Sequence, residues 1–187
     1  MKFNNRELEF HQFVKNWAKL TGLKDADPSK QFLSLCEEFG ENVDYSTPEE
    51  ECDAIGDAMV TILVLAEQLG IDIGYGKQDP YEITYSSSFS HISLSFIGQL
   101  GGQIRRGRDA KESLVDLYSV VRCYAFIKHL PLNRCLDMVQ CTLSEREGMM
   151  IDGSYIKRED FTPAQESHYI LRLIDIKNND GVNHVEV

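Results

Sequence analysis

Glu37, Glu38 and Glu41, followed a short loop later by Asp53 and Asp57, are the residues whose type and spacing best suit chemistry. Side chains three or four apart share one face of a helix. A helical hairpin carrying both groups would aim its carboxylates into one cleft. An all-oxygen donor set of that kind suits Mg²⁺ or Mn²⁺ and points to phosphate chemistry.

The plain explanation for acids on a helix is a solvated surface, and it serves for Glu49, Glu50 and Glu51. They occupy the first turn of a helix, where negative charge complements the backbone dipole by roughly 0.3–1 kcal/mol. Glu50 also completes a capping box with Thr47. Asp57 resists that explanation. It directly precedes the apolar run from Ala58 to Ala66, broken only by Thr61, and a lone carboxylate buried there would cost several kcal/mol without a partner. Asp53 lies one turn earlier. Glu37, Glu38 and Glu41 fall in the last turns of their helix, where the dipole disfavours negative charge, and no lysine or arginine follows them before Lys77. A divalent cation accounts for both anomalies.

Helices must position these groups. Periodicity predicts a helix over residues 6–20, closed by Gly22, and a second from Pro28 through Glu41 with Asp27 as its cap. A third opens at Thr47-Pro48 and stops at Gly70. Residues 72–90 are rich in Gly, Ser, Tyr and Asp and read as a linker. Further helices are expected over 93–104, 111–129 and 132–147. An irregular tail then leads to a last helix over 163–174 and a frayed end. The segment Ser34–Glu41 aligns with Ser95–Gly102 at an offset of 61 (95 − 34), and Ile55-Gly-Asp57 aligns with Val115-Asp116 after a small gap. This reads as a duplicated helical hairpin whose second copy has lost its acids, Gln99 and Gly102 replacing Glu38 and Glu41.

At 187 residues the chain can build one sizeable core, and 42% hydrophobic and 26% charged residues are ordinary for a soluble protein. A formal net charge of −11 argues against a broad basic surface for nucleic acid. No segment approaches the roughly 20 apolar residues of a membrane span, and the N-terminus lacks a signal-peptide core. Five cysteines without a CxxC pair, and histidines without a zinc pattern, predict reduced thiols and a cytoplasmic protein.

The Glu-Glu-x-x-Glu helix, the aspartate before a hydrophobic helix ending LAEQLGID, and the stretch PLNRCLDMVQCTLSEREGMMIDGSYIKRED resemble the MazG-like all-α NTP pyrophosphohydrolases. The phage-borne members are nearest in character, and host cytoplasm is then the expected compartment. The resemblance covers residues 31–73 and 131–160, and more weakly FHQFVKNWAKLTGL. The second motif of that family is Glu-x-x-Asp, but Ala54 stands three before Asp57 and the nearest acid is Asp53. The resemblance implies an all-α helical bundle over residues 1–160, with 161–187 as an extension. The second hairpin is similar to that of the related dimeric dUTPases.

The activity implied is Mg²⁺-dependent (Mn²⁺ in its place) conversion of a (d)NTP to the monophosphate and pyrophosphate, with a dUTPase or dCTPase variant open. Glu38, Glu41 and Asp57 would hold metal, with Glu37 or Asp53 as a further ligand or general base. A homodimer or homotetramer is expected, with neither nucleic acid nor membrane as partner. For the phosphates, Arg105, Arg106 and Arg108 form the densest basic cluster, with a solvated loop or dimer contact as the competing explanation. Arg146 and Lys157 are alternatives. Trp17, Phe13, Phe32 and Phe39 could stack a base, although apolar residues at helical spacing are usually core. The competing class is a non-catalytic nucleotide-binding or helical interaction protein with a relic acidic site, which the departure at Ala54 favours.

Overall fold

Capping and apolar spacing lay out the helices. The computed structural model describes residues 5–41, 47–74, 89–152 and 154–182; of 41, 89–92, 154 and 179–182 it describes the backbone alone. Helix α1 spans Asn5–Thr21 and ends where Gly22 takes a left-handed conformation (φ 78°), open to glycine at no steric cost. A 3₁₀ turn, Leu23–Asp25, leads to α2, Pro28–Glu41. The Asp27 carboxylate accepts from Ser29 N at 2.9 Å. Helix α3 runs Pro48–Gln68 behind the expected capping box: Glu50 N donates to Thr47 Oγ1 (3.2 Å) and Thr47 N to Glu50 Oε2 (3.0 Å).

Helices α4 (Phe89–Arg105), α5 (Lys111–Ile127) and α6 (Leu132–Glu145) follow, then strands β1 (Gly148–Ile151) and β2 (Ser154–Lys157), and α7 (Pro163–Val182). The chain is thus predominantly helical. Among the described residues no helix is long and apolar enough to cross a membrane.

Helix α3 is the centre. From Ala58 to Ala66 every residue is buried, and α1, α2, α5 and α6 pack around it. Each fully buried side chain of the size of Met59, Ile62 or Leu65 contributes roughly 1.5–3 kcal/mol. The hairpins α2–α3 and α4–α5 pack on each other in corresponding pairs, α2 on α4 and α3 on α5. Where α6 crosses α3 there is no room for a side chain: a Cβ on Gly56 would lie 2.8 Å from Val139 Cβ and 2.9 Å from the Cys135 carbonyl oxygen.

Three expectations need correction. Helix α4 begins at Phe89 rather than at 93; Phe89 and Ile92 continue the helical spacing of Phe96. Residues 148–157, expected to be irregular past Asp152, form an antiparallel hairpin with Ile151 paired to Ser154. Asp152, at φ 50°, opens its turn in the left-handed conformation that such short loops favour and that aspartate tolerates. Helix α7 does not fray after 174 but continues to Val182, each added residue gaining a backbone bond once a helix is nucleated. Residues 75–88, most of the expected linker, lie outside the described residues.

All five cysteines are free. Burial, then hydrogen bonding with Cys52, pushes the Cys135 thiol up to about 12, and burial pushes Cys123 to about 11, so both are protonated and inert as nucleophiles.

The α3–α6 crossing yields a direct expectation. Gly56→Ala should destabilise the fold by about 1–3 kcal/mol through overpacking, although alanine gains about 1 kcal/mol of helix propensity. Chemical denaturation followed by circular dichroism measures the balance, and an unchanged midpoint would refute the tight crossing.

Candidate functional site

Packing decides where each candidate acid faces. On α2, Leu35 and Phe39 are buried, which leaves Glu37 exposed and Glu38 half-buried beside them. On α3, Asp53 is exposed and Asp57 half-buried, between the buried Gly56 and Ala58. The Thr61 hydroxyl donates to the Asp57 carbonyl at 2.8 Å, fixing the local turn. Glu38 and Asp57 therefore lie half-buried on two helices that pack together, and neither is a free carboxylate. The side chain of Glu41 lies outside the described residues. Among the described residues no three His, Cys, Asp or Glu side chains are disposed to hold a metal ion.

The departure at Ala54 has a packing reason. Its methyl group is 4% exposed, so a glutamate there would have to bury its stem where α3 meets its neighbours. Asp53 leaves the helix about 100° away on the solvent side. The neighbouring acids are bound to cations: Glu51 accepts from Lys128 Nζ at 2.5 Å and Glu49 from Arg134 Nη2 at 2.8 Å.

The cations separate into two places. Arg105, Arg106 and Arg108 are exposed at the end of α4 and the turn after it, and no ion pair among the described residues joins them to the acids. Arg146 and Lys157 do come together. With Tyr155, Arg158 and three glutamates they line a groove of about 410 Å³ between the end of α6 and the hairpin. Arg158 is already committed to Glu147 (3.1 Å) and Glu166 (2.7 Å), while among the described residues Lys157 pairs with Glu159 alone, at 3.6 Å.

Of the aromatic candidates, Phe39 is buried in the core, and Phe13, Trp17 and Phe32 pack against it. The Phe32 ring fills the space beside Gly101, where a Cβ would lie 2.7 Å from it. Trp17 differs in one respect: its indole N–H is buried without a hydrogen-bond partner among the described residues, a cost of about 1–3 kcal/mol.

A second polar centre, between α1 and α5, was absent from the expected site. Glu7 is 3% exposed, and Arg122 Nε lies 3.0 Å from its Oε1, an ion pair in which the oxygen sits off the N–H direction. The fully buried Tyr118 meets His11 Nε2 at 2.7 Å, and burial, then the Glu7 charge, pushes its hydroxyl well above the ordinary range. The sequence signal was there: Glu7 is in helical register with Phe10, Val14 and Ala18, all buried.

Burial holds His11 down at about 4, against the pull of Asp72 and with a smaller push from Arg122. The folded protein therefore binds fewer protons at His11 than the unfolded chain between pH 6.5 and 4. Stability from this group is complete above about pH 6.5 and is lost as pH falls toward 4, by on the order of 2–3 kcal/mol. Denaturation midpoints across that range should show the loss in the natural protein and its absence in His11→Gln; identical slopes would refute it.

No protein-family model matches the chain, and no solved structure does. One stretch of 71 residues is 41% identical to an uncharacterized 18.2 kDa protein of the rep-hol intergenic region of Haemophilus phage HP1. It covers 34% of this chain and 44% of that protein, so less than half the length of the relative is spanned.

Proposed function

We propose that the protein is a Mg²⁺-dependent nucleoside triphosphate pyrophosphohydrolase of the MazG-like kind, yielding a (d)NMP and pyrophosphate. The observation that carries the reading is Glu38 and Asp57 half-buried on packed helices at the positions the sequence resemblance assigns to metal ligands. The candidate donors are all carboxylate oxygens, the set Mg²⁺ takes. Glu38, Asp57 and Glu41 would hold the ion, with Asp53 or Glu37 at its solvent side. When bound, it supplies charge neutralisation on the phosphates and polarisation at the α-phosphorus.

The chain's own residues then bind and orient. Arg146 and Lys157, gathered in one groove, are better candidates for the phosphates than Arg105, Arg106 and Arg108. Trp17, with its unpartnered N–H, remains the candidate for contact with the base. Glu37 or Asp53, both exposed, can take a proton from water. The phage relative agrees with a phage-type protein and names no activity. The paired hairpins agree with a duplicated unit that forms much of its bundle within one chain.

A second reading, a non-catalytic nucleotide-binding or interaction module, is favoured by the absence of a three-ligand cluster among the described residues. A panel of NTPs and dNTPs with Mg²⁺ or Mn²⁺ separates the two. Monophosphate plus pyrophosphate, reduced about a hundredfold or more in Glu38→Gln and Asp57→Asn with their helicity retained, is the expected result. No turnover by folded protein would establish the second reading.

The assembly we propose is a dimer or tetramer. Leu33 and Leu94, related by the offset of 61, are 61% and 65% exposed, and Leu171 is 64% exposed. Light scattering at micromolar concentration should give at least twice the monomer mass; a monomer would refute the assembly.

A further inference from the structure

Helix α7 turns one side to the protein and leaves the other open to solvent. Inward, Tyr169 is buried, and Arg172 binds carbonyl oxygens at the end of α1. Outward, Ile170, Leu171 and Ile174 are 41%, 64% and 49% exposed. Among the described residues no other helix exposes three large apolar side chains, and Leu33 on α2 and Leu94 on α4 each stand alone.

The open side carries a regular seam. Ala164, Ser167, Leu171, Ile174 and Asn178 are all exposed. They stand alternately three and four residues apart, the heptad spacing that keeps one stripe of a helix against a second helix. At about 100° per residue, His168 and Asp175 lie along one flank of the stripe, and Ile170 and Lys177 along the other.

This seam is complementary to itself when two copies of the helix run antiparallel. Leu171 then packs on the partner's Ile174, twice by symmetry, and Ser167 falls opposite the partner's Asn178. In an antiparallel pair each flank meets the same flank of the other helix. His168 therefore reaches the partner's Asp175, whose side chain is 59% exposed although it pairs with Lys19. On the other flank the stem of Lys177 covers the partner's Ile170. A parallel pair sets unlike flanks together and loses the match between His168 and Asp175. Charge points the same way: a chain of net charge −11 repels its own copies over most of its surface, but the stripe holds no acid and the acid on its flank meets a hydrogen-bond donor.

We propose that the exposed stripe of α7 is the surface on which a second copy of this chain docks, the two helices antiparallel about a twofold axis between Leu171 and Ile174. The proposal rests on the assembly put forward above and names its interface.

Analytical ultracentrifugation of the full chain measures the association, with circular dichroism as the check on folding. Leu171→Glu and Ile174→Glu, both at exposed positions, should retain their helicity and halve the mass at micromolar concentration. His168→Lys places a cation opposite the partner's Asp175 at two symmetric points and should tighten association about twofold or more; His168→Glu should weaken it by a similar factor. An unchanged mass in both glutamate variants of the seam overturns this surface while the assembly stands. Equal association of the two His168 variants overturns the antiparallel arrangement. A natural protein that is monomeric overturns the assembly and the surface together.

Discussion

The burial of α3 is the constraint from which the rest of the structure follows. A helix wrapped by α1, α2, α5 and α6 cannot turn about its axis, because a shift of one residue moves every side chain by about 100°. Such a turn would carry Asp57 among the apolar side chains, at a cost of several kcal/mol. The close approach at Gly56, against Val139 and Cys135, fixes the rotation on the side of α6. Asp53 and Asp57 are thus held on the strip of α3 that the packing leaves accessible. The same packing explains why the chain has alanine at 54, since that position faces the protein and not the solvent.

Helix α1 meets α5 on different terms. Glu7 stands where a continuous apolar stripe would place a hydrophobic residue, and Arg122, Tyr118 and His11 converge on it. Such a group of buried polar side chains adds little net stability against an apolar core of the same shape, yet removing one member leaves an unmatched charge. Its effect is to define the register of the two helices, because only one alignment brings all four residues together. The apolar contacts around it tolerate sliding far better than this group does.

Much of this was legible in the sequence. The Asp27-Pro28 start marked α2, and the capping box at Thr47 with the run after Asp57 marked α3, both close to their observed bounds, because these signals are local. The two helices α4 and α5 were legible from their apolar periodicity. The 148–157 hairpin carried an Asp-Gly signal, but strands of four residues show too little alternation to stand out beside long helices. The polar centre at Glu7 was missed because its members are spread from residue 7 to residue 122 and only the tertiary structure joins them. At the candidate site, the sequence marked the acids by their unusual places on the helices. Which of them face solvent depends on side chains such as Leu35 and Phe39 turning inward, and on how α2 lies against α3.

Helix α7 has a role that its place on the surface conceals. Arg172 donates to the carbonyl oxygens of Lys19 (3.2 Å) and Leu20 (3.3 Å), groups at the end of α1 that lack partners within that helix. Lys19 adds an ion pair to Asp175 at 2.6 Å. The end of the first helix is therefore closed by a side chain 153 residues further along. During synthesis α1 precedes α7, so its end is held at first by local bonds such as Gly22 N to the Lys19 carbonyl at 3.3 Å, and Arg172 joins once α7 leaves the ribosome. The last turn of α1, and the Gly22 bend beside Arg172, would then be among the last parts of the domain to settle.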